Sequence, residues 1–572
     1  MQNKYSLLIV VASMLTFSAK AQTTYLPLWS KEAWLLDRME IRLQKNVDLN
    51  LSTVKPYMRK AYVELGDSLL QLHQKGELPG IFTPVDAYNL NRLLANSSEY
   101  SRNAGTEVPA WKSKKPLGKG FFETPANMLE VNKPSFYLAI NPAVAIQHGV
   151  ESDFDDPVYF RSFGASARGL IGKSVAFNFM ATFNDEMGPI AFRQFVARNR
   201  AIPGAVDFTA KSNGTGFTYA DIKGSVNFKV TKYINIQAGR DQQFIGNGYR
   251  SLMLSNFSAP HNFVKLNTRI WKLNYTNLFM QLSNAADLDF NKKVTPKYAS
   301  MHHLSVNATK WLTLGVFEGI IFGRNKHYDF SYLQPMIFLR SMEQQNGSPD
   351  NANIGADIKI NIAGRGQFYG ALMLDEFKKD ELVGTRQFWW GNKQAFQVGA
   401  KYINAFGIKN LDLQGEFNQI RPFMYQFRDT AGAYAHALQP LAHPLGANLR
   451  EFIGILRYQP FNKLYINARV IYWKQGLDSA GFNMGANPND NYNRVGQGGN
   501  RPPRENFYPL FVGKPAQGLN ASLNISYELK ENMFFELNGM YRIFDEADKA
   551  SVSTSLISAG FRWNMFRREY DY

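Results

Sequence analysis

Leu519-Asn520-Ala521-Ser522-Leu523-Asn524-Ile525-Ser526-Tyr527-Glu528-Leu529 alternates apolar and polar side chains without a break. After Lys530-Glu531-Asn532 the alternation resumes, with Phe535, Leu537 and Tyr541 on one side and Glu536, Asn538 and Arg542 on the other. A third run sets Ile557, Ala559, Phe561 and Trp563 against Ser558, Gly560, Arg562 and Asn564. Period-two alternation places such rows on opposite faces of a sheet. One row is too polar for a packed soluble core and the other too apolar for water. A transmembrane β-barrel, with lipid outside and a polar lumen, satisfies both.

The same pattern runs back through the chain. From Ser135 onward, segments of ten to thirteen or so residues read as tilted membrane strands, about eighteen in all. Strand 217–230 shows the division well. Asp221, Lys223, Ser225, Asn227 and Lys229 face one way, and Ala220, Ile222, Val226, Phe228 and Val230 face the other. Short turns at Thr231-Lys232, Lys310, Gly364, Pro460-Phe461 and Lys530-Glu531 alternate with long connections at 185–216, 244–262, 324–350, 378–392, 421–447 and 475–517. Bacterial barrels have short periplasmic turns and long outer loops. A soluble two-sheet sandwich needs neither this alternation nor a polar row on almost every strand. An even strand count leaves both barrel termini in the periplasm. The last strand is expected to pair with Ser135–His148 and remove the sheet edge. Trp563 and Phe566 are then expected near the periplasmic rim.

The N-terminal hundred residues read differently. Lys4, the apolar run Leu7 to Phe17 and Ala19-Lys20-Ala21 form an export signal with a small-residue cleavage site. Residues 22–100 then show helical periodicity. Ser30 is a candidate cap for a helix through Trp34, Leu35, Met39 and Leu43, and Ser52 a candidate start for a second. Thr83-Pro84-Val85-Asp86 combines a capping residue, Pro at the first helical position and an acid in the first turn. This region is expected to be a periplasmic α-helical domain that plugs or supports the barrel. Residues 101–134, punctuated by four prolines, read as a linker, 135–566 as the barrel and 567–572 as a short tail.

Composition agrees with a large barrel. Aromatic content is 14% while mean hydropathy is −0.31, because lumen and loops dilute the lipid face. No cysteine is present, so disulfides hold nothing here. Without Lys4 and Lys20, 62 Lys and Arg stand against 47 Asp and Glu, a surplus of 15. That surplus favours acidic partners: an acidic surface polysaccharide or lipopolysaccharide, beside outer-membrane lipid and other envelope proteins. No nucleic-acid partner is expected.

The densest polar constellation runs from Gly239 to Asn256, where a strand passes into an outer loop. Arg240, Asp241, Gln243, Asn247, Tyr249 and Arg250 can contact a polyol or carboxylate, with Gly246 and Gly248 allowing tight backbone geometry. The same residues equally suit an inward-folded loop braced by its own Arg–Asp pairs. Gly239-Arg240, Gly246-Asn247-Gly248 and Ser251-Leu252-Met253-Leu254-Ser255-Asn256 resemble a signature of the Wzi-type capsule-assembly outer-membrane proteins. Gln334-Pro335, Arg340, Glu343 and Asp350 to Asp357 resemble a second block, and Leu372 to Phe377 a third. The resemblance spans Ser135 to the C-terminus. It implies a barrel of about eighteen strands with a periplasmic helical bundle, acting as a surface lectin that anchors capsular polysaccharide. Trp34-Leu35-Leu36-Asp37-Arg38-Met39-Glu40 is more similar to a gliding-associated branch of that family.

Chemistry is harder to place. Asp375 and Glu376 are adjacent, so on a strand they face opposite ways and make a poor acid–base couple. His302-His303 has no partner at metal-ligand spacing. Trp389-Trp390, with Phe388, suit either sugar stacking or the aromatic girdle. Arg193, Arg198, Arg200, Arg494, Arg501 and Arg504 suit acidic sugars or lipopolysaccharide. No catalytic residue, metal ligand or cofactor is assigned. The function expected is that of a non-enzymatic protein of the cell outer membrane that binds or anchors surface polysaccharide or supports surface assembly in gliding. The alternative is a porin or transporter for polar or anionic solutes.

Overall fold

The structure, a computed structural model, describes residues 23–572 apart from 29, 45, 77–81, 102–112, 114–115, 117–119, 153, 173, 212–213, 215, 285–294, 325–326, 348, 377–388, 480 and 493–505. The export signal, about half of the linker, Phe388, Arg494, Arg501 and Arg504 lie outside the described residues. Eighteen long strands form a closed antiparallel barrel. They are β1 (Phe136–Glu151), β2 (Val158–Ile171), β3 (Val175–Met187), β4 (Phe217–Lys229), β5 (Ile234–Asp241) and β6 (His261–Ile270). Then come β7 (Leu273–Ser283), β8 (Pro296–Asn307), β9 (Leu312–Phe322), β10 (Asn351–Ile362), β11 (Gly366–Leu374) and β12 (Gln394–Tyr402). The ring ends with β13 (Leu411–Ile420), β14 (Leu449–Phe461), β15 (Leu464–Leu477), β16 (Lys514–Lys530), β17 (Met533–Glu546) and β18 (Val552–Trp563). Closure is where the pattern put it: β18 pairs with β1 from Leu556↔Glu151 to Trp563↔Val144.

Alternation sorts the side chains as lipid and lumen require. On β4, Ala220, Ile222, Val226 and Phe228 are exposed outward, whereas Asp221, Ser225 and Asn227 are buried inside. The exposed apolar row is the lipid belt of an outer-membrane barrel; among the described residues no helix is long and apolar enough to cross a membrane. The short turns close tightly. Between β10 and β11, Ala363 and Gly364 both have positive φ, and Arg365 N–H donates to Ile362 O at 3.0 Å to close a three-residue connection.

The N-terminal residues form helices α1 (Lys31–Leu43), α2 (Arg59–Gln74) and α3 (Pro84–Ala95). Leu35, Leu36 and Met39 pack with Val63, Leu69, Leu90 and Leu93 in a core of their own. Thr83 makes the full capping box with Asp86. Ser30 stands at the α1 N-cap position but its side chain caps nothing. The helix expected from Ser52 begins only at Arg59. Pro56 disfavours helix before it, and the segment is used as strand: Val54–Lys55 pairs with Phe244–Ile245, and Tyr57–Met58 with Tyr25–Leu26.

This bundle sits in the short-turn mouth of the barrel, tied to the wall by ion pairs. Lys359 reaches Glu40 at 2.6 Å, Lys401 reaches Asp37 at 3.0 Å, and Lys31 reaches Glu528 and Glu531 at 2.5 and 2.7 Å. Arg38, buried, joins Asp86 at 2.9 Å and also binds Asp412 of β13. At the other end residues 421–447, expected as a long outer loop, fold inward. Phe423, Met424, Tyr425, Gln426, Tyr434 and Leu441 are fully buried in the lumen.

The C-terminal residues differ from expectation. Phe566 does not lie on the rim, and Arg567–Tyr572 is not a free tail. The chain turns into the lumen, where Met565, Tyr570 and Tyr572 pack with Phe192 and Ile202. Arg568 pairs with Glu186 at 2.7 Å, and Arg567 with Glu536 at 3.0 Å. Buried carboxylates on the lumen row attract the two arginines, and the aromatic residues follow them inside.

Candidate functional site: a lumen entered from both ends

The stretch after Gly239 enters the lumen as an inward-folded loop. Gly246 N–H donates to Thr53 O at 2.9 Å, continuing the pairing with the N-terminal segment. Gly248 has no room for a side chain: a Cβ would stand 2.3 Å from Glu416 Oε2. That approach lets Tyr249 N–H and Arg250 N–H donate to the two Glu416 oxygens at 2.6 and 3.0 Å. The Arg250 guanidinium then spans Glu451, at 3.2 Å, and Asp571 of the C-terminal segment, at 3.1 Å. Tyr249 Oη also donates to Asp571, and His443 Nε2 meets Glu451 at 2.8 Å. Burial opposes the charge on both sides of this contact, but attraction wins. Asp571 is held below the usual carboxylate range by Arg250 and Arg469, and Arg250 is held above its ordinary value by Glu451 and Asp571.

The six residues of the expected ligand site therefore part company. Arg240 lies in register with Asn262 and shares the outward row of Ala238, away from the lumen. Asp241, one residue on, faces inward and accepts from Gln242 N–H at 2.8 Å. Gln243 is buried and accepts from Lys265 Nζ at 3.0 Å. Asn247 is buried too; it accepts from Thr53 Oγ1 and donates to Asp357, both at 3.0 Å. Asp241, Tyr249 and Arg250 reach a common cavity.

That cavity, about 690 Å³, lies between the helical bundle, the 241–257 loop and the C-terminal segment. Ten Lys or Arg and five Asp or Glu line it. Carboxylates behind the wall offset much of the surplus: Arg168 pairs with Glu99 at 3.1 Å, and Arg562 with Glu536 at 3.0 Å. Arg457 instead donates to the neutral Gln414 at 3.2 Å. Asn178, Asn467 and Asn524 add carboxamides, and Phe534 and Phe566 add ring faces. Sequence reasoning passed over Arg457, Arg469 and the arginines at 567 and 568. The first two lie on lumen rows, where their charge was visible, but their convergence comes from strand order.

The remaining candidates are also placed. His302 and His303 point to opposite faces of β8: His303 Nε2 meets Asp357 in the lumen at 2.7 Å, and His302 Nδ1 meets Glu318 outside at 3.0 Å. Trp390 and Tyr492 rings lie 4.7 Å apart at the outer end, with Lys393 Nζ 4.4 Å from the Tyr492 ring. Arg193 stacks on Phe154 at 3.3 Å; with Arg198 it lies on a helix, Ile190–Asn199, inside a connection expected as loop.

Asp375 closes the outer plug. Its Oδ2 accepts from Tyr425 N–H at 3.1 Å, its Oδ1 is buried without a partner among the described residues, and Lys393 Nζ stands 3.9 Å away. Burial pushes this carboxyl up from 3.8 to about 7, against the pull of Lys393. The folded state thus keeps a proton that the unfolded chain loses near pH 4. Asp375 lowers stability progressively between pH 4 and 7 and by a constant amount above that. Asp375→Asn keeps the acceptor for Tyr425. It is expected to raise the thermal midpoint at pH 8 by several degrees and leave it unchanged at pH 4, read by heat-modifiable gel migration. An equal effect at both pH values counts against burial as the cause.

No family model matches this chain, and no curated protein sequence matches it. Among solved structures, the chain is similar to Wzi of Escherichia coli, an outer-membrane protein involved in group 1 capsule assembly and described as a carbohydrate-binding β-barrel. The TM-score is 0.54 at 13% identity, covering 94% of this chain and 99% of that one. OprD of Pseudomonas aeruginosa aligns at a TM-score of 0.40 and 9% identity, over 74% of this chain and 94% of that one. OccAB2 of Acinetobacter baumannii gives 0.39 and 10%, over 75% and 97%. The first of these likenesses establishes a Wzi-like fold, with barrel and N-terminal bundle both included.

Proposed function

We propose that this chain is a non-enzymatic outer-membrane barrel that binds and anchors an acidic surface polysaccharide. The observation that carries the reading is a lumen occupied by the chain's own segments. Among the described residues, chain segments enter it from the bundle end, the loop end and the C-terminus, and border a cationic cavity. A cavity of about 690 Å³ is in the size range of ligand pockets. Its chemistry suits an acidic sugar: guanidinium groups for carboxylates, carboxamides for hydroxyls, and ring faces for the apolar side of the pyranose. The carbohydrate binding described for the Wzi barrel supports the same reading. Asp241, Tyr249 and Arg250 are its shared border with the expected site, and Arg457 and Arg469 its added cations.

Binding of an acidic polysaccharide to the purified barrel, measured by calorimetry, is expected to weaken with salt. Arg457→Gln should weaken it about tenfold through loss of one charge-assisted contact, with thermal stability unchanged. No binding to any acidic glycan, or a large steady single-channel conductance of the wild-type barrel, overturns the proposal. Support of surface assembly in gliding is a second form of the same role; the bundle segment Trp34–Glu40 motivates it. Deletion followed by assays of both capsule retention and gliding separates the two.

A further inference from the structure

The outward rows of β7, β8 and β9 change character halfway up the wall. Near the short turns they are exposed and apolar, as at Leu314 and Val316. Toward the long-loop end the same rows hold Asn277, Ser300, His302 and Glu318, all buried. A carboxylate and an imidazole on this face would meet lipid directly, at high cost. The connection between β9 and β10 covers them. Tyr328 packs 5.5 Å from Tyr298 and 5.2 Å from Phe322, and Tyr332 lies 4.9 Å from Phe322. Leu339 N–H donates to Glu318 Oε2 at 3.0 Å, and Ser300 Oγ donates to Tyr332 O at 2.6 Å. Arg324 staples the base to Asp329 and Asp350 at 2.9 and 2.7 Å. This connection is therefore a flap on the outside of the barrel, not a loop over its mouth.

Its far side is unusual for a surface segment. Phe330 is 80% exposed, Phe338 63%, Met336 59% and Leu333 43%. Arg340, Gln344 and Gln345 follow as an exposed polar end. We propose that the flap lies in the outer leaflet, with Phe330, Leu333, Met336 and Phe338 inserted among acyl chains and Arg340 at headgroup depth. The occupant is lipid because the apolar patch continues the belt formed by Val316, Ile354 and Ile358 on the strands that the flap joins. The flap replaces a polar stretch of wall with an apolar surface, and so extends the belt toward the outer end.

The chain has no cysteine, so single substitutions carry a label without interference. Phe330→Cys, Met336→Cys, Phe338→Cys and Gln345→Cys, each bearing a nitroxide, are reconstituted in dimyristoylphosphatidylcholine vesicles. Accessibility to oxygen and to a water-soluble nickel chelate is then measured by electron paramagnetic resonance. The oxygen-to-nickel ratio at 330, 336 and 338 is expected to be several-fold above that at 345. Ratios equal to that at 345 place the flap in water and overturn the proposal. Labels shielded from both reagents, with or without spin–spin broadening between copies, mean that protein covers the patch and overturn it as well.

Discussion

Replacing Arg250 by Met will cost the folded barrel about 3–5 kcal/mol, because it leaves buried carboxylates without their cation. Arg250 is buried and spans Glu451 and Asp571 at 3.2 and 3.1 Å. Met fills most of the volume, so the loss is electrostatic rather than a cavity. Glu451 keeps His443 at 2.8 Å and Asn418 Nδ2 at 3.0 Å, which softens its exposure to burial. Asp571 keeps only Tyr249 and the more distant field of Arg469. The C-terminal segment is therefore expected to detach first. Urea titration followed by heat-modifiable migration should show the lower midpoint, and a carboxypeptidase should trim the variant from its C-terminus but not the wild type. Arg250→Lys, which cannot bridge two sites, should lie between them. A midpoint unchanged in Arg250→Met would mean that this guanidinium does not hold Glu451 and Asp571 together in the lumen.

Arg38→Met is expected to open the barrel. Arg38 is the most deeply committed cation between bundle and wall: Nε meets Asp86 of α3 at 2.9 Å, Nη2 meets Asn404 at 3.1 Å, and Nη1 binds Asp412. Removing it strands Asp86 and Asp412 together in a buried place, a loss of about 3–5 kcal/mol. Trp34 Nε1, which donates to Asp412 at 2.8 Å, cannot replace a charge. If about 3 kcal/mol of this appears as weaker docking of the bundle, the undocked fraction rises roughly a hundredfold. Planar-bilayer recordings should then show frequent openings in the variant and rare ones in the wild type. The pairs Lys359–Glu40 and Lys401–Asp37 remain and keep the bundle attached to the nearby strands β10 and β12. A variant that stays closed, with α1 still protected from protease, would mean that those pairs hold the plug without Arg38.

The fold was legible because its signal is local. In Leu519–Leu529 every residue differs in polarity from its neighbours, and that alone assigns each to lipid or lumen. Strand order followed from alternating turn lengths, and closure from the need to remove an edge. The capping box at Thr83 was legible for the same reason, since its partners are three residues apart. Misreadings began where a local signal met a distant partner. Ser52 looked like a helix start, but Val54 and Lys55 are strand because Phe244 and Ile245 lie beside them.

The candidate site was legible as a list of residue types and not as a place. Arg240 and Asp241 were grouped by adjacency, yet adjacency on a strand is what sends them to opposite faces. The long connections were identifiable by length, but length does not say whether a loop folds inward, as 421–447 does, or over the outer wall, as the segment after Phe322 does.

By itself, then, the sequence determined a lipid-facing and a lumen-facing row, a closed barrel of about eighteen strands, and a helical bundle before it. Only the tertiary structure decided that loop and C-terminal segments fold into the lumen, and that an outer flap hides His302 and Glu318. Tyr249 and Asp571 show the reason: they are 322 residues apart and touch because the barrel closes. Periodicity is written between neighbours in the chain, whereas a buried charge finds its partner only after strand order and register have set the distances across the lumen.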